Sequence, residues 1–166
     1  MLKTKSANTN LKTLWVMRHG LAVDQFESDF TRELSNVGAL QAKSVAEQLL
    51  NEADDLPTDM LVSPFCRTQS TAKIVHEVLG LTKPFETEDM LVHFADHKIL
   101  GDYLLASSYR NLIIVSHMPI VAYLCQYLSP NCGINGFQTA QMVKLIFETD
   151  ESNNTIGRVS HIYLPS

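Results

Sequence analysis

Two histidines and two arginines of this 166-residue chain stand where short apolar runs stop. Arg18-His19-Gly20 follows Leu14-Trp15-Val16-Met17, and His117 follows Ile113-Ile114-Val115-Ser116. Arg67 closes Ser63-Pro64-Phe65-Cys66-Arg67, behind the run Met60-Leu61-Val62, and Arg32 can join the set from the polar stretch after Gly20. Guanidinium groups suit a phosphoryl oxyanion because they offer planar, paired donors and keep their charge, while a neutral imidazole offers a lone pair that can attack phosphorus. Arginines close to His19 disfavour its imidazolium, which lowers its pKa and keeps the nucleophilic form populated near neutral pH. The same charges stabilise the equatorial oxygens of the transition state. The chemistry these residue types describe together is phosphoryl transfer.

Far apart in sequence, the two histidines can meet only through folding. Ligands of open α/β sheets gather outside the carboxyl ends of the strands, so two strands ending in histidine present both imidazoles to one crevice. The pattern along the chain supplies such strands: Leu14 to Met17, Met60 to Val62 and Arg110 to Ser116. Between them come helical patterns. Ser35 or Asn36 caps a helix whose apolar positions run from Val37 to Leu50, Thr68 to Leu79 is stopped by Gly80, and Ile99 to Ala106 and Ile120 to Leu128 follow later, the last behind Pro119. The stretch from Phe85 to His93 is ambiguous and has room for a short strand. Met142 to Phe147 and Val159 to Leu164 form a closing hairpin around the polar turn 150–157. This alternation predicts a three-layer α/β/α domain with a mostly parallel central sheet and an antiparallel portion, over 11–166, behind a polar N-terminal extension over 1–10.

The bulk properties narrow the function further. At 45% hydrophobic and 19% charged residues the chain is an ordinary globular one, and its net charge of -5 without a long basic run gives no footprint for nucleic acid or an anionic membrane. The longest apolar region, Ile113 to Leu128, is interrupted by Ser116, His117, Pro119 and Gln126 and falls short of a membrane helix. Cys66, Cys125 and Cys132 form no Cys-x-x-Cys pair, so neither a disulfide framework nor a zinc ribbon is indicated. With no export signal in the polar N-terminal stretch, a reducing cytoplasm is the simplest compartment.

At these residues the chain resembles the histidine phosphatase superfamily, also called the phosphoglycerate mutase-like fold, whose signature Arg-His-Gly follows the first strand. The segments Ser63-Pro64-Phe65-Cys66-Arg67-Thr68 and Val115-Ser116-His117-Met118-Pro119-Ile120-Val121 look closest to its short bacterial branch, the SixA-type phosphohistidine phosphatases. The resemblance implies His19 as the phospho-accepting nucleophile, Arg18 and Arg67 as phosphate clamps, and His117 as a hydrogen-bond donor to the phosphoryl group. Arg32 matches a further arginine of the phosphate pocket, with Glu33 where a proline often follows. The implied substrates are phosphohistidine domains of phosphorelay or phosphotransferase proteins, and neither metal nor other cofactor is required.

One departure bears on the substrate. Many superfamily members protonate an alkoxide leaving group with a carboxylic acid after the second motif, a position that aligns here with Met90 in Glu86-Thr87-Glu88-Asp89-Met90. A general acid contributes roughly 100- to 10,000-fold, so its loss penalises an alcohol leaving group. The imidazole of a phosphohistidine, with a pKa of about 6.5, leaves with little help. A small-molecule phosphomonoesterase would need Glu86, Glu88 or Asp89 to serve as acid, and a non-catalytic phosphohistidine-binding module would hold phosphate without labelling His19. Other phosphatase chemistries lack their residues, for there is no Cys-x5-Arg loop, no Asp-x-Asp pair and no Gly-x-x-x-x-Gly-Lys loop.

Each remaining position has a plain reading. Cys66 beside Arg67 is open to oxidation, but a cysteine at a strand-helix junction usually fills space. His93, Asp96 and His97 have helical ligand spacing without a further ligand, which favours a solvated helix start. His76 and His161 read as structural or surface residues, and Met17, Met118 and Met142 as core filler.

Overall fold

The computed structural model describes residues 9–25, 27–52, 54–151 and 154–166. The polar extension lies outside them up to residue 8. The apolar runs become strands β1 (Thr13–Arg18), β2 (Asp59–Val62) and β4 (Asn111–Ser116), with a two-residue strand β3 (Glu86–Thr87) between the last two. The helices are α1 (Asn36–Glu52), α2 (Cys66–Leu79), α3 (His97–Ala106) and α4 (Ile120–Leu128), and the hairpin is β5 (Met142–Thr149) with β6 (Thr155–Tyr163).

These elements form one six-stranded sheet in the order β3-β2-β4-β1-β5-β6. The pairs β2–β3, β2–β4 and β1–β4 are parallel, while β5 runs antiparallel to both β1 and β6. Side chains alternate across the strands and so feed two cores. Leu14, Val16, Leu112 and Ile114 pack toward α3 and α4, while Trp15, Met17, Ile113 and Val115 pack toward α1 and α2. Strands buried on both faces read as continuous apolar runs, which makes them legible from sequence.

The helix ends follow local chemistry. Ser35 caps α1, its hydroxyl accepting the Gly38 N–H at 3.0 Å. Asp96 caps α3 by accepting the N–H groups of Lys98 and Ile99 at 2.8 and 3.2 Å. Gly80 ends α2 in the left-handed region at φ 62°, which a residue without Cβ adopts at no cost.

The differences from expectation lie where backbone pairing outruns hydropathy. The hairpin ladder continues through Glu148↔Ile156 and Thr149↔Thr155, so β6 begins at Thr155 rather than Val159 and the connecting turn is shorter. Both residues of β3 are exposed at the sheet edge, paired to Leu61 and Val62, and carry no apolar signal. Met118 is not simply core filler, because it also lines the cleft described next. Among the described residues no helix is long and apolar enough to cross a membrane.

Candidate active site

Parallel pairing in register does the positioning. Arg18 pairs with Ser116 across β1 and β4, and Val62 pairs with Val115 across β2 and β4. The residues that follow, His19, Ser63 and His117, therefore leave the carboxyl ends of neighbouring strands side by side. The His19 and His117 rings meet edge to face with centroids 5.2 Å apart. The His19 backbone is held on both sides, its N–H donating to the Ser116 carbonyl at 3.0 Å and its carbonyl accepting the Ala140 N–H at 2.9 Å. Arg67 reaches the same point from the first turn of α2, and Arg32 from the loop after β1.

The His19 ring has a defined polarity. Its Nδ1 lies 2.7 Å from the Gly20 carbonyl, which can only accept, so Nδ1 carries the proton and Nε2 presents its lone pair. Arg67 Nε donates to that Nε2 at 3.2 Å. Burial pushes the His19 pKa down to about 4; the bond to Gly20 opposes this, and the charges of Arg67, Arg18 and Arg32 add to it. The arginines act in the direction the sequence implies, but desolvation is the larger cause.

Each arginine is anchored by an acceptor in its surroundings. Arg67 donates from Nη1 to the Asp29 backbone carbonyl at 2.7 Å and from Nη2 to its carboxylate at 3.3 Å. Arg18 Nη1 donates to the Phe137 carbonyl at 2.6 Å, and Arg32 Nε to the Val23 carbonyl at 2.7 Å. Arg18, His19, Asp29, Arg32 and Arg67 line one cleft of about 270 Å³, together with His93, Met118 and Thr139. Its volume accommodates a phosphoryl group and little more than the ring that carries it.

His117 is placed less openly than the resemblance implies. It is 1% exposed and does not line the open cleft, lying instead against His19, Phe65 and His93. Burial, followed by the neighbouring His19, Arg67, His93 and Arg18, pushes its pKa down to about 2. Its Nε2 lies 2.7 Å from Ser63 Oγ, and its Nδ1 is buried without a hydrogen-bond partner. Arg18 Nε and His93 Nδ1 are also buried and unpartnered, so three residues of the site hold polar atoms without a partner. Polar groups of that kind are expensive to bury without an acceptor or donor, and an oxyanion accepts from all sides.

Helical spacing sets His93 apart from the site, and the structure corrects this. The His93 ring packs on Phe65 and His117 and lines the cleft, while Asp96 caps α3 and His97 packs against Tyr123 and Tyr127. The three do not form a metal face. Asp29 and Thr139 also escape the sequence pattern; both are loop residues whose types are common on any surface, and only the fold brings them to the cleft. Neither Met90 nor Glu86, Glu88 or Asp89 lines the cleft: Met90 packs against the core, and Glu88 accepts the Met90 N–H at 3.0 Å in a single 3₁₀ turn. Asp29 is the one carboxylate on the wall among the described residues, and Arg67 holds it.

Comparison with known proteins gives this geometry its context. The model of the histidine phosphatase superfamily (branch 1) matches residues 14–94. Phosphohistidine phosphatase SixA of Escherichia coli (strain K12) is 29% identical over 144 residues, covering 85% of this chain and 88% of that protein. The phosphohistidine phosphatase SixA homolog of Haemophilus influenzae is 26% identical over 158 residues, covering 90% and 96%. Among solved structures, the protein histidine phosphatase SixA complexed with tungstate superposes with a TM-score of 0.81 at 28% identity, over 92% of this chain and 97% of that one. Over residues 14–94 the chain is similar to the histidine phosphatase superfamily, and it shares the fold of SixA over nearly all its length.

Proposed function

We propose that this chain is a protein-phosphohistidine phosphatase in which His19 accepts the phosphoryl group and water then releases it. The observation that carries the reading is the orientation of the His19 ring, with the proton committed to the Gly20 carbonyl at 2.7 Å and the Nε2 lone pair facing the Arg67 guanidinium in the cleft. In the first step His19 Nε2 forms a bond to phosphorus as the P–N bond of the substrate breaks, and the substrate imidazole, protonated on its other nitrogen from solvent water, departs neutral. In the second, water attacks phospho-His19, giving inorganic phosphate and restoring the imidazole. Arg18, Arg67 and Arg32 supply fixed positive charge to the phosphoryl oxygens throughout.

The phosphohistidine substrate follows from the leaving group. The carboxylates that would serve a phosphomonoesterase stand away from the cleft, and an imidazole leaves without them. The two curated relatives bear the name phosphohistidine phosphatase, which supports the same substrate class. A folded carrier is favoured by the rim. Phe30 and Phe94, chain neighbours of the cleft residues Asp29 and His93, are 52% and 74% exposed. A histidine side chain is short, so delivering its phosphoryl group to a nucleophile that is only 8% exposed brings the carrier's own surface onto that rim. Phosphohistidine domains of phosphorelay or phosphotransferase proteins are the partners of this kind, and the mechanism calls on no metal.

Phosphate release from a phosphohistidine-bearing carrier protein tests the reading. Release that continues in excess EDTA and vanishes in His19→Ala is the expected result. A carrier left intact by the wild-type protein, or cleaved equally well by the variant, overturns it.

A further inference from the structure

His117 and Ser63 form a buried pair whose hydrogen bonding has one sound solution. Both are closed to solvent, at 1% and 0% exposure, and Ser63 Oγ lies 2.7 Å from His117 Nε2. A neutral imidazole has one N–H and one lone pair, and a hydroxyl has one proton to give. If Nε2 carries the proton and donates to Ser63, the serine hydroxyl proton has no acceptor in a fully buried place and the Nδ1 lone pair is unused as well. If Ser63 donates to Nε2, one group alone is unpaired, the Nδ1–H of His117. Each buried polar group left unpaired carries a desolvation cost that nothing offsets, so the second arrangement is favoured.

The two arrangements also differ toward substrate. In a ring packed edge to face on His19 with centroids 5.2 Å apart, an unpartnered Nδ1–H attracts a phosphoryl oxygen bound at His19, whereas a lone pair on that atom repels it. The Ser63 backbone is fixed on both sides, its N–H donating to the Val115 carbonyl at 3.1 Å and its carbonyl accepting from Thr68 Oγ1 at 2.8 Å and Gln69 Nε2 at 2.9 Å. We propose that Ser63, by donating its hydroxyl proton to His117 Nε2, holds His117 in the Nδ1–H tautomer and so turns a buried imidazole into the hydrogen-bond donor that meets the phosphoryl group. Ser63 is thus a positioning residue acting through His117, and the inference rests on reading the cleft as a phosphoryl site.

Long-range ¹H–¹⁵N spectra of the intact protein read the tautomer directly, with tungstate as the anion probe. The expected wild-type spectrum shows His117 protonated on Nδ1 and sharpened or shifted by tungstate. Ser63→Ala is expected to admit the Nε2–H form and to weaken tungstate about tenfold, the loss of one charge-assisted hydrogen bond, while Ser63→Thr, which keeps the hydroxyl, restores both. His117 protonated on Nε2 in the wild type overturns the inference, and that spectrum decides the matter even where Ser63→Ala does not fold. An unchanged tautomer with undiminished tungstate affinity in Ser63→Ala overturns it equally. A wild type with the Nδ1–H tautomer that leaves the phosphohistidine carrier uncleaved overturns the phosphatase reading instead, and leaves the role of Ser63 standing.

Discussion

A histidine can act as a nucleophile, the role proposed for His19, only while uncharged, and the site keeps His19 uncharged chiefly by burying it, with three arginines adding to the effect. With its pKa near 4, His19 stays neutral through the physiological range, so kcat/KM, corrected for spontaneous hydrolysis, should lose no activity to His19 protonation between pH 7 and 5; a limb near 6.5 that His19 accounts for would contradict this. The same shift acts on stability with a definite sign. Between pH 6.5 and 4 the unfolded chain binds a proton at His19 that the folded chain does not, so stability falls as pH falls. His19 contributes about 2 kcal/mol of loss between pH 7 and 5, and His117, with its pKa pushed still lower, extends the fall toward pH 2. Urea unfolding at the two pH values checks it, and His19→Ala should lose its own share of the difference. Asp29 belongs to the same scale. It meets Arg67 through both its carbonyl and its carboxylate, so Asp29→Ala should let the guanidinium drift from His19 and lower kcat/KM about tenfold, with KM carrying part of the change. His19 and Arg18 are legible because rare residue types stand at the end of a strand, and Arg67 because it follows the Ser63-Pro64 break at the start of a helix, whereas Asp29 looks like any acidic loop residue until the loop is folded against α2.

At the scale of elements, the glycine of Arg-His-Gly explains how β1 can deliver its histidine so close to a helix. A Cβ at Gly20 would fall against the backbone of Gly38, meeting its carbonyl oxygen and its carbonyl carbon, the latter at 2.9 Å, in the first turn of α1. Backbone cannot rotate out of the way as a side chain can. Gly20→Ala should therefore cost about 1–3 kcal/mol through overpacking, visible as a lowered Tm, and should also reduce turnover because the Gly20 carbonyl that orients His19 Nδ1 must move with it. Stability and activity that both match the wild type would show that α1 yields instead. The sequence announces the strands and helices that bury a face, down to the Ser35 cap and the Gly80 stop. It gives β3 only as room for a short strand within Phe85 to His93, where Glu86 and Thr87 are held by pairing alone, and it misses the early start of β6, because a ladder at a sheet edge needs no apolar side chains to exist. It misplaces His93 for a related reason: helical spacing with Asp96 and His97 is a pattern along the chain, but a loop precedes α3 and turns His93 toward Phe65 and His117 instead.

At the scale of the whole molecule, the carboxyl ends of the parallel strands carry a cleft lined by three arginines, and two of its lining residues, Asp29 and His93, have exposed phenylalanines as chain neighbours. On the proposed reading the cleft engages the phosphoryl group and its imidazole, and the rim engages whatever bears that imidazole. Phe30 is held by its ring against Phe65 and by its carbonyl, which accepts the Cys66 N–H at 3.0 Å, so this side of the rim is tied to the start of α2 and stands in place before any carrier arrives. Phe94 packs edge to face on His93 and leaves three-quarters of its surface to solvent. Burying that surface against a carrier is worth about 1–2 kcal/mol, or roughly five- to thirtyfold in kcat/KM. Phe94→Ala should therefore weaken turnover of a phosphohistidine carrier protein by about that factor while leaving N-phosphoimidazole, which has no surface to rest on the rim, unchanged. Equal losses on both substrates would mean that Phe94 acts through His93 and the cleft. No loss on either would mean that the carrier approaches from another side, over Leu21 and Thr139, and that the arginines and His19 alone set the specificity.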